Sequence, residues 1–80
     1  MTAILTPGMQ AKLERFACNT RRLRIRAGLS QQELAWAVHV DKSSISKIES
    51  GRMRPSFQLA VRISRVLDGD LDEMVDEVMP

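Results

Sequence analysis

Residues 28–33 place a helix stop directly before a helix start, and this pair of signals constrains the fold most strongly. Gly28 can adopt the left-handed conformation that ends a helix. Ser30 and Glu33 have the spacing of a capping box, in which the serine accepts a hydrogen bond from the new helix and the glutamate reaches back. We therefore expect separate helices on either side of this segment.

The segment before Gly28 has the periodicity of one amphipathic helix. The Thr6-Pro7 pair marks its start, because proline suits the first helical position. Apolar or small residues then recur at intervals of three and four, at Met9, Leu13, Phe16, Thr20, Leu23 and Ala27. The other side of this predicted helix carries Arg15, Arg21, Arg22 and Arg26.

Further helix signals follow Ser30, and the sequence contains no strand signal. Asp41 is a good cap for a third helix that Gly51 ends, and Ser56 is a good cap for a fourth. A fifth helix is predicted to start at Asp70 or Leu71. The predicted fold class is all-α, a compact bundle of five helices.

Length and composition predict a single soluble domain. With 80 residues the chain is one domain, divided into an N-terminal arm (1–8), a helical domain (9–75) and an acidic, apolar C-terminal end (76–80). The single cysteine excludes an internal disulfide. No apolar run approaches the ~20 residues of a membrane helix, so we expect a cytoplasmic protein that contacts no membrane.

The net charge of +2 conceals an uneven distribution. Residues 1–67 hold all twelve Lys and Arg and four acids, a net charge of +8, whereas residues 68–80 hold six acids and no base, a net charge of −6. A basic body with an acidic end indicates a polyanionic partner for the body.

Two short helices joined by a three-residue turn form a helix-turn-helix, whose second helix is shaped to enter the major groove. The chain reads L-R-x-x-x-G-L-S-Q-x-E-L-A, then V-x-V-D-x-S-x-I-S-K-I-E-x-G, then R-P-S. This pattern resembles the lambda-repressor-like DNA-binding domains, the Xre family, between Leu23 and Leu71, about 50 of the 80 residues. The resemblance implies a five-helix bundle that binds operator DNA as a homodimer and regulates transcription.

The resemblance also implies base contacts from the exposed face of the third helix, by Lys42, Ser43, Ser46 and Lys47. The two lysines can reach guanine O6 and N7, whereas a serine hydroxyl accepts or donates and reads bases ambiguously. The alternative for all four is contact with phosphates only. Lys42 opposes the helix macrodipole, and local violations of this kind are typical of functional positions.

Three residues are predicted to contact the DNA backbone: Gln31, Arg52 and Arg54. Gln31 starts the second helix, and the two arginines lie on the loop after the third. A solvated side chain is the alternative for each. Arg24 and Glu49 match the positions of a family ion pair that ties the first helix to the end of the third, although Arg24 could instead contact a phosphate.

Four positions depart from the family pattern. His39 occupies a turn position that is commonly glycine, and histidine tolerates a positive φ better than most residues. Trp36 replaces a residue that is usually polar, as Ala37 and Ile25 do. An exposed Trp36 would mark an interface, unless the N-terminal arm covers it.

Dimerisation is predicted through the apolar side of the last helix, at Met74, Val75 and Val78. The alternative is that Met74 and Val78 close the core of one chain. A dimer would place two recognition helices ~34 Å apart and require a near-palindromic operator.

The leading functional hypothesis is a sequence-specific transcriptional regulator such as a phage-type repressor, a restriction–modification controller or an antitoxin. The alternative is a protein-interaction adaptor that keeps this fold without reading DNA, with a toxin or polymerase as its protein partner. The sequence shows no nucleophile–base pair, glycine-rich phosphate loop or metal-ligand cluster, so it predicts no enzyme, cofactor or metal. We expect association with the nucleoid when DNA is bound.

Overall fold

The computed structural model describes residues 7–69 and Met74, and these hold four α-helices. They are α1 (Pro7–Arg26), α2 (Gln31–Val38), α3 (Lys42–Glu49) and α4 (Phe57–Val66). The described residues contain no strand, so the all-α class is confirmed. Five helices were expected and four are present; the predicted fifth falls outside the described residues except for Met74, which is helical.

Helix α1 begins earlier than the predicted arm boundary and ends where the sequence indicates. Pro7 and Gly8, assigned to the arm, are its first residues, because the fixed φ of proline fits the first helical position. At the other end Gly28 has φ +75° and its N–H donates to the Ile25 carbonyl at 3.0 Å. The Leu29 N–H donates to the Arg24 carbonyl at 3.1 Å, which completes the helix stop.

The capping box at the start of α2 is present. The Glu33 N–H donates to Ser30 Oγ at 3.0 Å, and the Ser30 N–H donates to Glu33 Oε1 at 2.9 Å. The bond from the Ser30 backbone is the main reason that the pKa of Glu33 is lowered. Serine and glutamate thus satisfy two backbone N–H groups that the helix itself leaves without partners.

The turn between α2 and α3 is three residues long, as predicted, and runs from His39 to Asp41. His39 is left-handed, with φ 63° and ψ 44°, and its N–H donates to the Trp36 carbonyl. The Val40 N–H donates to the Ala35 carbonyl at 3.0 Å. The reversal at His39 lets α3 pack against α2 within one short turn.

The core is formed where all four helices meet, and its most buried large side chains are Leu34, Val38, Ile45, Ile48 and Ile63. Phe16 and Thr20 bring α1 to this core as the periodicity predicts. Met9, from the same predicted stripe, is 46% exposed and lies in the first turn of α1.

Met74 belongs to the core of one chain and not to its surface. Its side chain is 2% exposed, and its carbonyl accepts a hydrogen bond from the buried Asn19 Nδ2 at 2.8 Å. Of the two roles considered for Met74, the structure shows the one that closes the core. Val75 and Val78, also predicted at a dimer interface, fall outside the described residues.

Candidate nucleic-acid interface

Helix α3 separates its buried side from the side predicted to contact bases. Ile45 and Ile48 are at most 1% exposed and face the core. The four predicted base-contact residues occupy positions i, i+1, i+4 and i+5, which share one helix face: Lys42, Ser43 and Lys47, which are exposed, and Ser46, which is half-buried. The predicted reading face therefore exists as a single surface.

The start of α3 is held by a side-chain arrangement that the sequence did not reveal. The carboxylate of Asp41 makes no capping hydrogen bond with the described residues of α3. It accepts hydrogen bonds from two serine hydroxyls instead, from Ser43 at Oδ2 and from Ser44 at Oδ1 at 2.7 Å. The bond from Ser43 and then that from Ser44 lower the pKa of Asp41.

Arg24 and Glu49 form a two-pronged ion pair between α1 and the last residue of α3. Arg24 Nε lies 2.7 Å from Glu49 Oε2, and Arg24 Nη2 lies 3.0 Å from Oε1. The third nitrogen, Nη1, donates to the Leu29 carbonyl at 2.8 Å. The side chains are only 12% and 3% exposed, so in the described chain Arg24 is committed to Glu49 and Leu29.

Gln31 joins this ion pair. Its Nε2 donates to Glu49 Oε1 at 3.2 Å, the oxygen that also accepts from Arg24 Nη2. One carboxylate therefore connects α1, the first residue of α2 and the last residue of α3. The predicted backbone-contact residue Gln31 is half-buried and positioned by Glu49 before any DNA is bound.

A cleft of about 230 Å³ opens beside this network, between α1, α2 and α3. It is lined by Arg21, Gln31, Ser46, Glu49 and Ser50. Arg21 is exposed and joins Gln31 and Ser46, two predicted DNA-contact residues, in one concave surface. Helical periodicity places Arg21 on the basic side of α1, but it could not show that this side adjoins α3.

The loop after α3 is anchored to that helix by its own backbone and side chains. The N–H of Arg52 donates to the Lys47 carbonyl at 2.9 Å, and Arg52 Nε donates to Ser50 Oγ at 3.0 Å. Gly51, with φ +77°, lets the chain reverse. The two bonds to Lys47 and Ser50 place Arg52 directly at the end of the reading face. Arg52 and Arg54 are both exposed.

Trp36 is 68% exposed on α2, and Ile25 on α1 is 56% exposed. The exposure expected for an interface at Trp36 is therefore present. The arm residues 1–6, which were considered as a cover for Trp36, lie outside the described residues.

Residues 21–74 match the family model described as helix-turn-helix. The chain belongs to the lambda-repressor-like (Xre) helix-turn-helix family. This family consists of DNA-binding transcriptional regulators and not of enzymes. Among the residues that the structure describes, no helix is long and apolar enough to cross a membrane.

Relatives of this helix-turn-helix protein occur among archaeal proteins. An uncharacterized HTH-type transcriptional regulator of Archaeoglobus fulgidus is 35% identical over 54 residues, which cover 68% of this chain and 77% of the relative. A protein of the same description from Methanothermobacter thermautotrophicus is 47% identical over 47 residues, 59% of this chain and 68% of the relative.

Solved structures of helix-turn-helix regulators have the same fold. The restriction-modification controller protein C.AhdI from Aeromonas hydrophila is 31% identical with a TM-score of 0.73, over 80% of this chain and 97% of its own. The clp gene regulator ClgR from Corynebacterium glutamicum is 25% identical with a TM-score of 0.75, over 80% of this chain and 68% of its own.

Proposed function

We propose that this helix-turn-helix protein is a sequence-specific transcriptional regulator that binds a near-palindromic operator as a homodimer. The observation that carries the proposal is the division of α3 into a buried apolar side and an exposed side with Lys42, Ser43 and Lys47. A helix that presents donors and acceptors on its free side fits the major groove, where each base pair has a distinct hydrogen-bond pattern. The chain would act in the cytoplasm, on the nucleoid.

Each group of side chains has its own role in this proposal. Lys42 and Lys47 read guanine O6 and N7, and Ser43 and Ser46 contact neighbouring base edges. Backbone phosphates are contacted by Gln31, Arg52 and Arg54, to which the cleft beside α3 adds Arg21. Because Glu49 of α3 binds both Arg24 of α1 and Gln31 of α2, it sets the distance between the phosphate contacts and the reading face.

The proposed dimer uses the segment that follows Met74, with Val75 and Val78 as its apolar contacts. Met74, the residue before that segment, is fixed in the core, since its carbonyl is held by Asn19 and its side chain is buried. A dimer places two copies of α3 ~34 Å apart, one turn of DNA. Two inverted half-sites would then be bound at once.

Selection of bound fragments from random duplex DNA by the purified full chain tests this function. We expect enrichment of two inverted half-sites with centres about 10 base pairs apart. The matched control is a Lys42→Ala/Lys47→Ala variant, which should keep its helical circular dichroism and enrich nothing. Failure of the unaltered chain to enrich any motif would contradict the proposal.

The alternative function is a protein-interaction adaptor, with a toxin or polymerase as partner. The observation that favours it is the 68% exposure of Trp36, since large exposed aromatic residues are enriched at the energetic centres of interfaces. An adaptor of this kind would bind all DNA sequences with equal affinity. Weak binding without a preferred site, together with a stable protein complex that Trp36→Ala abolishes, would establish the adaptor.

A further inference from the structure

At the start of α3, the hydroxyl protons of Ser43 and Ser44 are both donated to the carboxylate of Asp41. Both oxygens of the Asp41 carboxylate accept from serine hydroxyls, Oδ2 from Ser43 and Oδ1 from Ser44. Asp41 and Ser43 are exposed, whereas Ser44 is half-buried. The proton of Ser43 is therefore directed at Asp41, and among the described residues no group donates to the exposed Ser43 oxygen, whose lone pairs can accept.

This arrangement removes the ambiguity of a serine in the major groove. A free hydroxyl carries one donor and two acceptor lone pairs, and it rotates to suit its partner. A hydroxyl that donates to an ionised carboxylate makes a charge-assisted bond, which is about twice as strong as a neutral one. An aspartate carboxylate is ionised at neutral pH at its ordinary pKa, and the serine bonds lower the pKa of Asp41 further. Ser43 is thereby left as an acceptor.

We propose that Asp41 sets the hydrogen-bond polarity of Ser43, so that Ser43 accepts from an exocyclic amino group in the major groove. This inference rests on the proposed function, in which α3 reads bases. In that groove the exocyclic amino donors are cytosine N4 and adenine N6, whereas guanine O6 and N7 and thymine O4 accept. Asp41 is a positioning residue in this scheme and Ser43 makes the contact.

The neighbouring residue completes the pattern. Lys42 has only donors and Ser43 has only acceptor capacity left, at consecutive exposed positions of α3. A G·C pair offers acceptors on guanine and an amino donor on cytosine at the same major-groove edge. The first turn of α3 is thus complementary to a G·C pair, and the test below distinguishes cytosine from adenine.

The test is selection from random duplex DNA by the full chain and four variants: Ser43→Ala, Asp41→Ala, Ser44→Ala and Asp41→Ala/Ser43→Ala. In the unaltered chain we expect one half-site position at which cytosine or adenine is preferred about fivefold, the size of one net hydrogen bond. Ser43→Ala should abolish that preference. Asp41→Ala should relax it so that thymine and guanine are also accepted, because the released hydroxyl can donate.

Two further variants separate the polarity effect from a general effect of charge or folding. Ser44 also donates to Asp41 but is half-buried, so Ser44→Ala should leave the preference unchanged. In the Ser43→Ala background, adding Asp41→Ala should not change the base preference at that position any further, as required if Asp41 acts through Ser43. Circular dichroism of all variants should stay helical.

Several results would overturn the inference. An unaltered chain that prefers thymine or guanine at the position sensitive to Ser43→Ala would show that the hydroxyl donates. A preference that persists in Asp41→Ala would show that Asp41 does not set the polarity. If the unaltered chain enriches a motif and Ser43→Ala changes no position in it, this inference fails while the proposed function stands. If no motif is enriched, the proposed function fails first.

Discussion

The side-chain amide of Gln31, the first residue of α2, donates to Glu49, the last residue of α3, at 3.2 Å. The same Glu49 oxygen accepts from Arg24 of α1 at 3.0 Å. A carboxylate at the C-terminal end of a helix opposes the macrodipole, and here the arginine compensates for it. The start of α2 and the end of α3 are consequently held together by one buried charge.

Glu49→Ala should destabilise the fold strongly, because it leaves the largely buried guanidinium of Arg24 without its partner. Loss of one member of a buried pair costs ~3–5 kcal/mol of unfolding free energy, measurable by urea denaturation. The Arg24→Ala/Glu49→Ala double variant should cost less than the sum of the two single variants. A loss below ~1 kcal/mol for Glu49→Ala, the value typical of exposed pairs, would contradict a buried pair.

Gln31→Ala should weaken binding to every DNA sequence and leave base preference unchanged. Its side chain is positioned by Glu49 at the cleft, where a phosphate contact carries no sequence information. We expect about fivefold weaker affinity in fluorescence anisotropy, the value of one net hydrogen bond. The neighbouring half-buried Gln32 gives the matched control Gln32→Ala, which should bind normally. Equal effects of both variants would remove Gln31 from the phosphate contacts.

Lys47→Ala should reduce specific binding by ~1–3 kcal/mol while the fold survives, since the Lys47 side chain is exposed. Affinity for random DNA should fall much less. Arg65→Ala, which removes an exposed cation from α4, is the control and should leave specificity intact. An equal loss on operator and random DNA would mean that Lys47 reads no base.

Arg21→Ala and Arg52→Ala should each reduce the slope of log affinity against log salt by roughly one unit, as expected for one lost phosphate contact. Titrations of DNA binding between low and physiological salt measure that slope. Arg65→Ala again serves as the control, because this residue lies outside the cleft and the loop. A slope that does not change for Arg21→Ala would remove Arg21 from the phosphate contacts.

His39 should tolerate glycine and reject a β-branched residue. Its φ of 63° is unfavourable for most side chains, and a β-branched residue at positive φ is an outlier. His39→Val should therefore lower the unfolding free energy by ~1–2 kcal/mol, and His39→Gly should leave it unchanged or raise it slightly. Thermal denaturation of both variants provides the comparison. If the His39→Val variant is as stable as the His39→Gly variant, the turn does not need the left-handed conformation.

Local signals were readable from the sequence because their causes lie within a few residues. Ser30 and Glu33 cap α2 as predicted, Gly28 ends α1, and His39 takes the left-handed turn. Each of these depends on hydrogen bonds of the backbone, to side chains or to other backbone groups, that span three to five positions. The Arg24–Glu49 pair spans 25 positions, and it was anticipated through the family resemblance and not through spacing.

Long-range arrangements could not be read in this way. The bond from Gln31 to Glu49, the place of Arg21 in the cleft and the burial of Met74 depend on how helices pack. Met74 illustrates the reason: an apolar residue near the end of a small chain can cover its own core or a partner with equal chemistry. The burial of its side chain and the hydrogen bond from Asn19 Nδ2 to its own carbonyl decide between these roles.

The ratio of affinities for the selected operator and for random DNA of the same length tests the central claim most directly. Fluorescence anisotropy at physiological salt should give a ratio of at least about 10³ for the full chain, and the Lys42→Ala/Lys47→Ala variant should bring it close to one. Equal affinities of the unaltered chain for both DNAs would contradict the claim that α3 reads sequence.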